Sequence, residues 1–264
     1  MKKIISFVIA AMLAVTALVG CSTGTSDSAK DAGSKTTFTV GFDQNFPPMG
    51  FVGDDGQFTG FDLELAAEVC NRLGYEIKYQ PIEWDAKDAE LNAGTIDCIW
   101  NGFTMLGRED DYTWTEPYMA NRQIFVVKSQ SGIKSAADLK GKIVDVQKDS
   151  AAEEALNNMP DLKSTFKQMT SVADYNTAFM ELESGAIDAV AMDSTVAQYQ
   201  IRDRASEFLI LDDVISEESY GVGFKKGNTE LKDKVEKTLK EMAADGTLAK
   251  ISTKWFGKDV TTIK

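Results

Sequence analysis

The stretch Ile96-Asp-Cys-Ile-Trp-Asn-Gly-Phe-Thr-Met-Leu-Gly-Arg-Glu-Asp-Asp-Tyr-Thr-Trp-Thr-Glu-Pro-Tyr118 opens on an apolar run, Ile96 to Trp100, that reads as a short buried strand. The strand stops at Asn101-Gly102, a pair suited to a tight turn. A hydroxyl follows at Thr104 and an arginine at Arg108. Strand end, turn, hydroxyl and guanidinium are the parts of an anion grip, because arginine can hold a carboxylate through two parallel N–H bonds. A plainer reading stands beside it: Arg108 has Glu109, Asp110 and Asp111 as neighbours and could pair with them on the surface.

Upstream, Phe38 to Phe42 alternates as a strand, and Asp43 to Met49 is a loop stiffened by Pro47 and Pro48. Gly53-Asp54-Asp55-Gly56 is a hairpin-like turn. Gly60-Phe61-Asp62 opens a helix that carries Leu65, Val69 and Leu73 on one face and ends at Gly74. A strand from Glu76 to Gln80 and a helix from Asp85 to Asn92, stopped by Gly94, complete a β-α-β-α-β order. That order implies a parallel sheet with helices on its faces. Ligands of such sheets sit beyond the carboxyl ends of the strands. The loops Asp43–Phe46, Glu83–Trp84 and Asn101–Thr104 are therefore expected at one edge.

A second α/β unit follows. Strands are expected at Arg122–Val127, Ile143–Val146, Lys167–Met169, Ile187–Met192 and Phe208–Leu211, with Tyr220–Phe224 as a return strand. Ser150 and Glu153 have capping-box spacing at a helix start. Helices are expected at Asp174–Ser184 and from Ser194 to about Arg204, and the tail Glu230–Trp255 reads as helical with a break near Gly246. Glu90-Leu-Asn-Ala-Gly-Thr-Ile-Asp97 echoes Glu181-Leu-Glu-Ser-Gly-Ala-Ile-Asp188. Each copy leads through apolar residues to a polar turn, at Asn101 and at Asp193, so two similar lobes could face each other across a cleft.

Composition narrows the function. The 264 residues are 43% hydrophobic and 26% charged, enough for a globular core, and the net charge of −13 disfavours nucleic acid and anionic membrane surfaces as partners. There are no histidines, which removes Ser-His-Asp and Cys-His triads and the commonest transition-metal ligand. The three cysteines, Cys21, Cys70 and Cys98, form no CxxC pair, so a zinc site is not expected and no cofactor is indicated. Cys70 and Cys98 could meet in a disulfide or remain two buried thiols.

The N-terminus reads as a processing signal: Lys2-Lys3, then an apolar run from Ile4 to Val19. Its end, Leu18-Val19-Gly20-Cys21, resembles a bacterial lipobox, which implies a signal peptide over 1–20 and a lipid-bearing Cys21. Residues 21–35, rich in Ser, Thr, Gly and Asp, read as a flexible tether. Loss of Lys2 and Lys3 leaves 26 basic against 41 acidic residues, a net charge of −15.

Phe46-Pro-Pro, Gly60-Phe-Asp-Leu-Glu-Leu-Ala66, Leu91-Asn-Ala-Gly-Thr-Ile-Asp97, Asn101-Gly-Phe-Thr104 with Arg108, Glu116-Pro-Tyr118, Asp138-Leu-Lys-Gly-Lys142, Gly185-Ala-Ile-Asp-Ala-Val-Ala-Met-Asp193, Asp245-Gly-Thr-Leu-Ala-Lys-Ile251 and Lys254-Trp-Phe256 occur in order. This series resembles the polar amino-acid family of solute-binding proteins that serve ABC importers, over Thr37 to Phe256. The resemblance implies a two-lobed periplasmic-binding-protein-like α/β fold. Lobe 1 would be 36–121 plus 217–264 and lobe 2 would be 122–216, joined by a two-strand hinge. It implies a monomeric receptor, not an enzyme, lipid-anchored outside the cell membrane. That receptor would pass a neutral or cationic polar amino acid to a permease and its ATPase. An enzyme on the same fold, such as a cyclohexadienyl dehydratase, and a surface sensor are the alternatives.

By the same resemblance the α-carboxylate falls to Arg108, helped by Thr104 and the turn backbone at Gly102, with Ser150 and Ala151 contributing from a helix start. The α-ammonium falls to Asp193, which could equally cap the helix after it. Phe46 and Trp84 would wall the ligand side chain or belong to the core, and Asp43 would reach a cationic side chain. Two departures stand out. Only Met105-Leu106-Gly107 separates Thr104 from Arg108, one residue fewer than is usual, and Asp149 stands where relatives often carry glycine.

Overall fold

The computed structural model describes residues 36–264. The expected signal peptide, tether and lipid-bearing Cys21 lie outside the described residues.

Strand β1 (Thr37–Phe42) leads into a small three-stranded sheet of β2 (Asn45–Phe46), β3 (Gly50–Val52) and β4 (Phe58–Thr59). Helix α1 (Phe61–Leu73) ends as expected on Gly74, which adopts the left-handed conformation that favours glycine. After β5 (Glu76–Pro81), a 3₁₀ turn at Trp84–Ala86 precedes α2 (Lys87–Ala93). The chain then forms β6 (Cys98–Ile99), β7 (Tyr112–Trp114) and β8 (Met119–Lys128). The second α/β unit continues with β9 (Ile143–Gln147), α3 (Ala151–Asn157), α4 (Pro160–Lys163), β10 (Gln168–Val172), α5 (Tyr175–Ser184), β11 (Ala189–Asp193), α6 (Ser194–Ile201) and β12 (Phe208–Tyr220). The chain closes with β13 (Gly223–Lys225), α7 (Thr229–Ala244) and α8 (Thr247–Phe256).

Two five-stranded sheets result, ordered β5-β1-β6-β13-β7 and β10-β9-β11-β8-β12. In the first, β5, β1 and β6 are parallel as the sequence order predicts, while β13 runs antiparallel to β6 and β7. β8 carries the chain into the second sheet and β12 brings it back, the two pairing antiparallel from Phe208–Lys128 to Tyr220–Met119. α7 and α8 then return to pack on α1. This is the mixed α/β, two-lobed architecture expected.

Several elements differ from what the residue pattern predicts. β1 is buried on both faces after Thr37, because it lies between β5 and β6, so no true alternation exists. The Ile96–Trp100 run contributes a ladder of only Cys98–Ile99. Phe208–Leu211 is the start of one 13-residue strand, β12, whose register shifts at Val214. Asp212, Asp213, Glu217 and Glu218 hide that continuity from a hydrophobic pattern. β7 and α4 went unforeseen, and α6 ends at Ile201. Cys70 and Cys98 are buried free thiols.

The echoed segments do form the same device twice. Gly94 and Gly185 end their helices in the left-handed conformation (φ 76° and 79°), and Thr95 and Ala186 donate back to the carbonyls of Glu90 and Glu181. Asp97 then exchanges bonds with Thr39: its N–H donates to the Thr39 carbonyl (2.8 Å) and its Oδ2 accepts from the Thr39 N–H (2.7 Å). Asp188 does the same with Ile143, at 2.9 Å in each direction.

Candidate functional site

The carboxyl ends of β1 and β6 in one sheet face those of β9 and β11 in the other. Between them lies a narrow, nearly closed pocket. Phe46, Trp84, Gly102, Thr104 and Arg108 come from β2 and the loops on the side of the first sheet, and Ser150, Ala151 and Asp193 from the side of the second. Asn101 and Gln147, which the family resemblance did not assign, complete the lining. Of the expected residues only Asp43 is set back from the wall.

Arg108 ends the shortened turn, whose tightness comes from the Arg108 N–H bonding the Met105 carbonyl (2.9 Å) with Gly107 at φ 80°. The Trp114 indole donates to the Arg108 carbonyl at 3.0 Å. The guanidinium is 11% exposed and lies over the Phe103 ring, 5.7 Å from its centroid. It does not pair with the three acidic residues that follow it. Nη1 makes a long contact with the Thr104 carbonyl (3.3 Å), and Nη2 reaches across the cleft to the Asp149 carbonyl (3.4 Å) and to Glu154 (3.3 Å).

Asp149 is in the left-handed region at φ 55°, a conformation glycine adopts freely and aspartate tolerates. The residue is exposed, so the departure from glycine does not put a buried carboxylate beside the site. Its carbonyl also receives Lys87 Nζ (3.4 Å), a buried lysine that no sequence signal marked and that lies over the Trp84 ring. Burial, then the charge of Arg108, pull the Lys87 ammonium below its ordinary pKa. Ser150 caps α3 by accepting from the Glu153 N–H (3.1 Å). The box is only half formed, since the Glu153 carboxylate accepts from the Asp149 N–H (2.6 Å) instead.

Asp193 sits at the N-cap position of α6 but makes no capping bond. Asn121 caps the helix in its place, with Oδ1 accepting from the Ser194 hydroxyl (3.1 Å) and the Thr195 N–H (3.4 Å). The Asp193 carboxylate is left for the pocket, with three donors gathered on Oδ1: Asn121 Nδ2 (2.8 Å), Gln123 Nε2 (2.8 Å) and the Tyr220 hydroxyl (2.6 Å). Burial, and then the neighbouring Glu218, push its pKa up to about 7.

Two expected contributions take another form. The Gly102 N–H donates to Asp62 Oδ2 (2.5 Å), so that backbone donor is turned away from any ligand. Glycine is still required at 102, where φ is 56° and a Cβ would press on Phe46 and Tyr220 at 3.0 to 3.2 Å. The Thr104 hydroxyl donates to Glu218 Oε1 (2.9 Å) rather than facing the pocket with a free proton. Asp43 has both oxygens engaged, by the Asn45 N–H (2.8 Å) and by Gln147 Nε2 (2.7 Å), so it ties the two sheets together behind the pocket. Burial raises its pKa to about 6.

Phe46 and Trp84 are pocket wall and core at once: Phe46 packs on Tyr175, and Trp84 meets Phe103 edge-on at 5.5 Å. Gln147 gave a weaker signal of the same kind as Asp193, because it closes the strand Ile143–Val146, whose apolar run Asp145 interrupts. Glu218, Asn121 and Gln123 carried no such signal, lying on strands that serve the connection between sheets. Among the described residues no cluster of three or more acidic or cysteine side chains could hold a metal, and no helix is long and apolar enough to cross a membrane.

The model of the bacterial extracellular solute-binding proteins, family 3, matches residues 38–258. The L-cystine-binding protein TcyJ of Escherichia coli is 35% identical over 231 residues, covering 85% of this chain and 84% of the relative. The arginine-binding extracellular protein ArtP of Bacillus subtilis is 31% identical and aligns over 97% of this chain and 98% of its own. An ABC uptake transporter substrate-binding protein of Streptococcus pneumoniae with bound histidine superposes with a TM-score of 0.83 at 35% identity, covering 86% of this chain and 94% of that one. These relatives are binding proteins rather than enzymes, and a match spanning nearly every described residue places the chain among the bacterial extracellular solute-binding proteins of family 3.

Proposed function

We propose that the chain captures one polar amino acid, neutral or cationic, in the pocket between its sheets and hands it to the permease and ATPase of an ABC importer. One observation carries this reading: a guanidinium and a carboxylate from different sheets, Arg108 and Asp193, line the same small pocket. A zwitterion needs one group of each sign, because a buried charge without a partner is costly. The ligand carboxylate would lie on Arg108 near the start of α3, its ammonium on the open side of Asp193, and its side chain between Phe46 and Trp84 toward Gln147. An acidic side chain would meet Asp43 behind Gln147.

A ligand touching both sheets would draw the lobes, 36–121 plus 217–264 and 122–216, together about the β8–β12 connection. A lipid on Cys21 and a tether over 22–35 would keep a monomer outside the membrane near its importer.

The test is melting temperature with L-arginine, L-histidine, L-glutamine and L-cystine, followed by calorimetry. Ligand at a hundred times its Kd stabilises by about 2.7 kcal/mol. Arg108→Ala should fold normally and lose affinity by roughly 2–5 kcal/mol, the usual cost of removing one partner of a buried charge pair. That is about 30-fold to several thousand-fold. Near-native affinity in Arg108→Ala, or no stabilisation by any amino acid, defeats the proposal.

A further inference from the structure

We infer that Asp193 and Glu218 share one proton before a ligand binds and release it to solvent when an ammonium group docks on Asp193, so that capture is a proton-releasing reaction tuned by Glu218. This rests on the reading of the pocket as an amino-acid site.

The two carboxyl groups are held side by side by two side-chain amides. Asn121 Nδ2 donates to Asp193 Oδ1 (2.8 Å) and to Glu218 Oε1 (2.7 Å), and Gln123 Nε2 donates to the same two oxygens, 2.8 Å each. Asp193 is 5% exposed and Glu218 8%. Among the described residues neither is paired with a lysine or arginine; Arg108, the cation acting on Glu218, is itself paired with Glu154. Two carboxylates so placed resist joint ionisation, the behaviour of acidic pairs that share a proton.

Glu218 Oε2 is buried without a hydrogen-bond partner. Such an atom is far cheaper to bury in a neutral carboxyl than in a carboxylate. The other groups facing the pair do not change this. Tyr220 and Tyr175 are phenols held neutral by burial and by these carboxylates, Tyr118 acts behind Tyr220, and Asp43 acts with the same sign through Tyr175. Burial raises the pKa of both carboxyls, in Glu218 against the amide and Thr104 bonds.

When the ammonium arrives, the carboxyl O–H bond breaks, its proton passes to the buffer, and the new carboxylate faces the ammonium. At the Asp193 end one positive charge enters and one leaves, while the ligand carboxylate is met separately by Arg108. Glu218 needs no contact with the ligand for this. It stands opposite Asn121 where β12 pairs with β8 and acts on Asp193 through the shared amides, as a positioning residue.

Calorimetry with the same four amino acids in buffers of different protonation enthalpy, near about pH 6.5, counts the protons. The proton lost by free histidine's own imidazole is subtracted. Wild-type protein should release a large part of one proton per ligand. Glu218→Gln, which imitates the neutral carboxyl, should still bind, with release falling close to zero as Asp193 ionises at lower pH. A buffer-independent heat in wild type, or undiminished release in Glu218→Gln, overturns the inference while leaving the amino-acid site standing. Absence of binding by all four defeats both. If the variant misfolds, wild-type Kd against pH decides: affinity should rise by up to about tenfold per pH unit below the pKa of the pair and level off above it. A flat profile overturns the idea.

Discussion

Asp62, in the first turn of α1, fixes the turn on which the site is built, and its own titration should be visible in the stability of the whole protein. Its side chain is fully buried; Oδ2 accepts from the Gly102 N–H (2.5 Å) and the Tyr118 hydroxyl (2.8 Å), while Oδ1 is buried without a partner. Burial pushes its pKa from 3.8 up to about 7, against both hydrogen bonds. Between those values the native state keeps a proton that the unfolded chain has lost. Stability therefore falls as pH rises from about 4 to about 7 and is flat beyond. At about 1.4 kcal/mol per pH unit, that interval corresponds to an upper limit of about 4 kcal/mol. In Asp62→Asn the amide oxygen can accept both bonds and nothing titrates. Urea unfolding of both proteins from about pH 4.5 to 8 should show the wild type losing stability relative to the variant by an amount on this order. Asp43, Asp193 and Glu218 slope the same way in both proteins and drop out of the comparison. Parallel curves would refute the reasoning.

Gly107→Ala should cost about 1 kcal/mol of stability, set by the φ of +80°, because the carboxylate end of Glu154 that the added Cβ meets can swing aside. Adding Glu154→Ala should therefore recover little of that stability in urea unfolding; full recovery would place the cost in the side-chain contact instead. Cys70 and Cys98, both buried with thiols pushed up by burial, should react with a thiol reagent only on unfolding. Rapid labelling of the native protein argues against their burial.

Glycine placed helix ends well. Gly74, Gly94 and Gly185 each close a helix where the chain must turn left-handed, and no tertiary contact is needed to see it. Part of the pocket wall was legible for a related reason: Asp193 is a polar residue that closes an apolar run, and Arg108 follows the turn that ends another. What escaped depends on partners remote in sequence. The Gly102 N–H belongs to Asp62, 40 positions away, and the Thr104 hydroxyl to Glu218, 114 away. Neither commitment can be read from the turn itself. β12 escaped because its middle is acidic and its register shifts at Val214, so the 2-residue period of a buried strand is never sustained.

The paired Asp97 and Asp188 clasps have a mechanical consequence. Each locks a helix end and the start of a strand to the neighbouring strand by a two-way bond, and each stands upstream of polar groups that line the pocket. The strand ends that lead toward Arg108 and Asp193 are thereby clasped within separate sheets, which β8 and β12 connect. A frame of this kind works as a caliper: a longer or bulkier amino acid would register as a wider angle between the lobes while both jaws keep their shape.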